Sequence, residues 1–93
     1  MAENRNNGDF TYELKEHIAD LKETKDGWKR EVNVVAWNGN EPKIDIREWS
    51  PDHSRMTRGI TLTEDEAMDF AKAIAERHIN RQREESMRDP YER

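Results

Sequence analysis

Between Pro42 and Trp49 the side chains alternate in character. Ile44 and Ile46 fall on one parity, and Asp45, Arg47 and Trp49 on the other. Successive side chains of an extended backbone point to opposite faces, so this run predicts a strand with one aliphatic face and one face carrying a guanidinium and an indole. Trp28–Asn38 predicts another strand, rich in the β-branched Val32, Val34 and Val35. Val32, Val34 and Ala36 share one of its faces, and Lys29, Glu31, Asn33, Val35 and Trp37 the other. Asn38-Gly39 favours a tight type I′ turn between the two strands. Pro42, which has no N–H to donate, marks the entry to the second. Ser50-Pro51-Asp52-His53 suits a type I turn, and Gly59–Leu62 a short fourth strand.

Phe10, Tyr12 and Leu14 alternate with Thr11, Glu13 and Lys15, but Ala19 and Leu21 have changed parity. A strand bent by a bulge fits this pattern. A helix over Tyr12–Thr24 fits it too, because Leu14, Ile18 and Leu21 keep a 3.6-residue period. Lys25-Asp26-Gly27 reads as a turn with its glycine at positive φ. Thr63-Glu64-Asp65-Glu66 is a capping box that opens a helix, and its three carboxylates suit the positive end of the helix dipole. Ala67, Phe70, Ala71, Ile74 and His78 trace one face of that helix, with Met68, Ala75 and Ile79 beside it. The apolar period stops at Asn80. The chain therefore divides into a disordered polar arm over 1–9, one domain over 10–80 and, over 81–93, a charged tail or a frayed continuation of the helix ended by Pro90.

Ninety-three residues, 40% of them charged and 32% hydrophobic, allow one domain with a modest core. Such a chain gains apolar burial by dimerising, and the helical stripe exceeds what one small sheet covers. There is no cysteine, so disulfides and cysteine-rich zinc sites are excluded. Met1–Asp9 has no apolar core of a secretory signal, and no apolar run reaches membrane-spanning length. The formal charge of −5 argues against a simple polyanion binder. Its distribution alters that conclusion: Trp28–Leu62 holds six basic residues against five acidic, a local net charge of +1.

Catalytic readings fail on spacing. His17, His53 and His78 lie on three separate elements, without metal-ligand spacing. No glycine-rich phosphate loop or nucleophile elbow occurs. The expectation is a non-enzymatic protein with no cofactor, no metal and no small-molecule substrate. For Trp37 and Trp49 there are two readings, packing in a core or dimer contact, or stacking platforms for bases on an open face. Arg47 is either a phosphate ligand or the partner of a neighbouring acid such as Asp45.

Ile44-Asp45-Ile46-Arg47-Glu48-Trp49, followed by Arg58-Gly59-Ile60-Thr61-Leu62 and an acidic helix opening, resembles the positive cofactor 4 family of single-stranded-DNA-binding transcription cofactors. Gly27-Trp28-Lys29-Arg30-Glu31, Trp37-Asn38, Glu41-Pro42-Lys43 and Trp49-Ser50-Pro51-Asp52-His53 look like its bacterial YdbC-type branch. The resemblance spans Phe10 to Glu76. It favours a strand over a helix for Tyr12–Thr24. It implies an α+β fold, ββββα, with a four-stranded antiparallel curved sheet, one C-terminal helix and a homodimer through that helix. It also implies a single-stranded-DNA-binding function of little sequence specificity, linked to transcription, repair or replication in the cytoplasmic nucleoid. The nucleic-acid-binding residues are then expected to be Lys29, Asn33, Trp37, Lys43, Arg47, Trp49, Arg55 and Arg58, with the tryptophans stacking bases and the cations holding phosphates. The alternatives are single-stranded RNA as the ligand, or a protein-interaction module that uses the tryptophan face.

Overall fold

A computed structural model of the chain describes residues 5–7 and 10–87. Five antiparallel strands form one open sheet in sequence order: β1 (Arg5–Asn7), β2 (Phe10–Glu23), β3 (Lys29–Trp37), β4 (Lys43–Trp49) and β5 (Ile60–Leu62). Among the described residues a single helix, α1 (Glu64–Met87), follows. The four expected strands and the C-terminal helix are therefore present. Much of the expected N-terminal arm lies outside the described residues, but Arg5–Asn7 within it pairs with Phe10–Tyr12 as a short edge strand. The expected tail boundary at residue 80 does not end the helix, which runs on to Met87. Residues 80–87 lack apolar periodicity but contain no glycine or proline, so nothing in the backbone stops the helix there.

The turns follow their sequence signals. Asn38 and Gly39 both adopt positive φ, 52° and 75°, and Asn40 N–H donates to the Trp37 carbonyl at 2.8 Å, closing the type I′ turn. Gly27 sits at φ 86° after Lys25-Asp26. The capping box is reciprocal: Glu66 N–H donates to Thr63 Oγ1 at 3.1 Å, and Thr63 N–H to Glu66 Oε1 at 2.9 Å.

β2 resolves its mixed period by breaking register against β3 three times, between Leu14 and Glu16, His17 and Ala19, and Asp20 and Lys22. Each break adds a residue to β2 and increases its twist. As a result Tyr12, Leu14, His17 and Asp20 all oppose residues of the Glu31, Asn33, Val35, Trp37 face.

That face, expected to be open, holds the core. Tyr12, Val35 and Trp49 are buried together, with Leu14, Trp37 and Met56 packed against them. Trp49 is 0% exposed, which overturns its placement on an open face. Parity assigned it to the correct side of the sheet, but the connection from Ser50 to Arg55 folds back over that side. The connection is pinned by Ser50 N–H to Arg55 O at 2.9 Å and His53 N–H to Ser50 O at 2.9 Å. It sets the His53 ring 5.6 Å from the Trp49 ring.

Among the described residues α1 meets only β4 and β5 of the sheet. Phe70 and Ile74 are about half exposed, as are Met68, Ile79 and Ile60.

Candidate nucleic-acid interface

The face that carries Trp37 and Trp49 has three zones along β3. At one end, Phe10, Tyr12 and Trp37 form an aromatic edge, with Phe10 and Trp37 ring centroids 5.6 Å apart. Phe10 is exposed and Trp37 partly so. Lys43 lies on the same face of β4, opposite Val35, and among the described residues no carboxylate pairs with it. In the middle sits a buried polar network. At the far end lies the half-exposed Lys29; just outside β3, Arg55 stacks over Trp28, 5.7 Å from its centroid, and Trp28 has the parity of Val32, not of Trp37.

The network accounts for three residues expected to contact nucleic acid. The Arg47 guanidinium donates to both oxygens of Asp45, from Nε at 2.7 Å and Nη2 at 2.8 Å. Its Nη1 reaches the Thr57 carbonyl at 3.3 Å, and its plane covers the Trp37 ring at 4.5 Å. Asp45 is 0% exposed and also accepts from Thr61 Oγ1 at 3.0 Å. Arg47 therefore pairs with a buried acid and props the Trp37 indole; its donors face inward. Asn33 is buried as well. Its Nδ2 donates to Glu31 Oε1 at 3.0 Å, and its Oδ1 meets His17 Nδ1 at 2.7 Å. Trp49 forms part of the floor, its ring 5.4 Å from that of Tyr12.

A groove of about 590 Å³ opens over this network, lined by Leu14, His17, Asp20, Lys29, Glu31 and His53 among others. His53 has φ 60°, a left-handed backbone that histidine adopts more readily than most residues but still at a cost. The surrounding bonds hold it there. Tyr12 Oη donates to the His53 carbonyl at 3.0 Å, and His53 Nε2 lies 2.9 Å from Glu31 Oε2. Asp52 anchors the same loop by accepting from the Ser54 hydroxyl and amide and from the Ser50 hydroxyl. The Ser54 hydroxyl foremost holds its carboxyl at about 2, below the ordinary 3.8.

The eight expected residues thus do not converge on one spot. Lys29 and Asn33 line the central groove. Trp37 and Lys43 mark the aromatic end, and Arg55 the Trp28 end. Arg58 lines a separate groove with Arg30, Ile46, Glu48 and Ile60. The functional reading of the sequence passed over Phe10, His17 and His53. Phe10 was legible as the first aromatic of an alternating run. The two histidines were not, because a bulge and a folded loop bring them to Glu31.

A family model described as "Transcriptional Coactivator p15 (PC4)" matches residues 24–73. A protein of Treponema pallidum (strain Nichols), described only as an uncharacterized protein, is 46% identical over 57 residues, covering 61% of this chain and 67% of that one. The matched segment of the family model runs from the turn before β3 into α1. It includes Trp37, Lys43 and the Asp45–Arg47 pair.

Proposed function

The chain belongs to the transcriptional coactivator p15 (PC4) family, whose role is nucleic-acid binding in transcription, and from that premise we propose that it binds single-stranded DNA with little sequence preference, without catalysis. The observation that carries the reading is the aromatic edge. Phe10 and Trp37 present apolar rings at the surface, with Lys43 on the same sheet face. Rings of this kind stack any base, and nearby cations hold the phosphates between stacked bases. The strand is proposed to run from this edge past Lys29 to Arg55 on Trp28. Arg47 and Trp49 keep the platform in shape beneath it, and Asn33 orders the floor. Arg58, on a separate groove, is assigned a supporting phosphate contact.

The helix supports a homodimer. Met68, Phe70, Ile74 and Ile79 stand about half exposed on α1, as does Ile60 on β5, and Val32, Val34, Ile44 and Ile46 are only partly buried. A second copy of the chain would bury both. Phe70→Asp is expected to shift the sedimenting species from dimer to monomer; a parent that sediments as a monomer at micromolar concentration would refute this part.

Salt dependence tests the interface. Affinity for oligo-dT should fall with salt by about 0.7 in log–log slope per phosphate contact. Lys43→Ala should remove about one such contact. An affinity independent of salt would place the nucleic acid elsewhere. Duplex DNA and single-stranded RNA in the same titration separate the ligand classes. This role would place the protein with the nucleoid, in transcription, repair or replication.

A further inference from the structure

Glu31 and Asp20 are direct partners across the β2–β3 ladder. Like charges in that position repel, and Glu31 is only 4% exposed. A buried carboxylate calls for a compensating cation. Among the described residues no lysine or arginine pairs with Glu31; its neighbours are Asn33 and two imidazoles, His17 and His53.

The hydrogen bonds fix the state of His17. Asn33 gives its Nδ2 hydrogen to Glu31, so its Oδ1 is the acceptor that faces His17 Nδ1. Nδ1 must then carry a proton, and in a neutral imidazole the lone pair sits on Nε2. That Nε2 lies 3.1 Å from Asp20 Oδ1. A ring nitrogen and a carboxylate oxygen this close are spaced to share one bound cation.

We propose that His17, Asp20 and Glu31 form a site for a divalent transition-metal ion, with zinc as its representative. One nitrogen of His17 and one oxygen from each carboxylate all lie within 4.8 Å of one another. The 3.1 Å separation of His17 Nε2 and Asp20 Oδ1 is close to the edge of a tetrahedron with zinc–ligand bonds of about 2.0–2.1 Å, roughly 3.3 Å. One imidazole with two carboxylates suits zinc and its neighbours and leaves a position open to water in the groove. The surroundings are those of a metal-binding histidine. Its other ring nitrogen donates to Asn33, which fixes the tautomer, and His53 donates to Glu31, which orients that carboxylate. Lys29 Nζ lies 3.6 Å from the second oxygen of Asp20, steadying it from the far side. The site requires no nucleic acid; it shares the central groove and Lys29 with the proposed strand path.

Titration calorimetry of the tag-free full chain with zinc chloride at pH 8, without nucleic acid, tests this. One equivalent of zinc per chain should bind, with magnesium chloride giving no saturable heat. His17→Ala should abolish binding, as should Asp20→Asn; both residues are about half exposed, and circular dichroism confirms that the variants fold. His53→Gln should weaken binding about 10–100-fold, the usual effect of removing a residue that orients a ligand. His78→Ala, on the exposed helix, should bind as the parent does. No saturable zinc binding by the parent would overturn the proposal, as would equal binding by the parent and His17→Ala.

Discussion

Replacing Trp49 separates two incompatible roles. As an exposed stacking platform it would contribute to affinity and little to stability. The structure buries it completely, under His53 and against Tyr12 and Val35. A tryptophan buries about 150–250 Å², worth at most about 4–6 kcal/mol at 25 cal/mol per Å². Cavity data for aromatic-to-alanine changes give about 3–5 kcal/mol. Small domains hold only about 5–15 kcal/mol in all, so Trp49→Ala should leave the chain barely folded. At about 4–8 °C per kcal/mol, Tm should fall by tens of degrees. Trp49→Phe should cost less, partly because the Trp49 indole N–H has no partner among the described residues and phenylalanine removes that liability. Urea denaturation followed by far-UV circular dichroism, at one fixed protein concentration, measures both variants. A loss below about 1 kcal/mol for Trp49→Ala would refute the buried assignment, since even a partial cavity costs more.

Three further substitutions probe the same architecture. Arg47→Ala strands the fully buried Asp45 carboxylate and should cost about 3–5 kcal/mol of stability, read by the same urea titration. Gly59→Ala would press a Cβ onto the Ile46 carbonyl oxygen and Arg47 Cβ, and the overpacking should cost about 1–3 kcal/mol; an unchanged melt would contradict that close approach. Because the folded Asp52 carboxyl titrates at about 2 and the ordinary value is 3.8, its stabilising effect is full above that ordinary value and disappears as pH falls through about 2. Asp52→Asn should therefore be less stable than the parent near neutral pH, with the gap closing across that window in acid melts.

Strands β3, β4 and β5, the two glycine turns and the capping box were legible because each is local: two or three residues set the φ angles or the hydrogen bonds. Parity also grouped Trp37, Arg47 and Trp49 on the same side of the sheet. What it does not say is which side becomes covered. That depended on β2 bending over the face through three register breaks and on the Ser50–Arg55 loop closing on Trp49, both long-range events. The aliphatic Val32, Val34, Ile44, Ile46 face looked like the inside because it is apolar, yet a single chain buries it only in part. Arg47 illustrates a choice that sequence leaves undecided. Asp45 two residues earlier was a visible partner, but only the burial of that acid makes the ion pair the dominant use of the guanidinium. His17 and Glu31 meet because a bulge near Lys15 shifts β2 by one residue, which no alternation pattern reports.

The central claim is that single strands stack on the Phe10–Trp37 edge. Fluorescence anisotropy of a labelled oligo-dT, titrated with the parent and with Trp37→Ala at matched salt, addresses it most directly. Removing one base–aromatic stack should weaken binding by about 1–3 kcal/mol, while circular dichroism shows the sheet intact and duplex DNA binds more weakly than the single strand. If a folded Trp37→Ala binds oligo-dT as tightly as the parent, or if the parent does not bind it at all, the aromatic edge is not a single-strand interface.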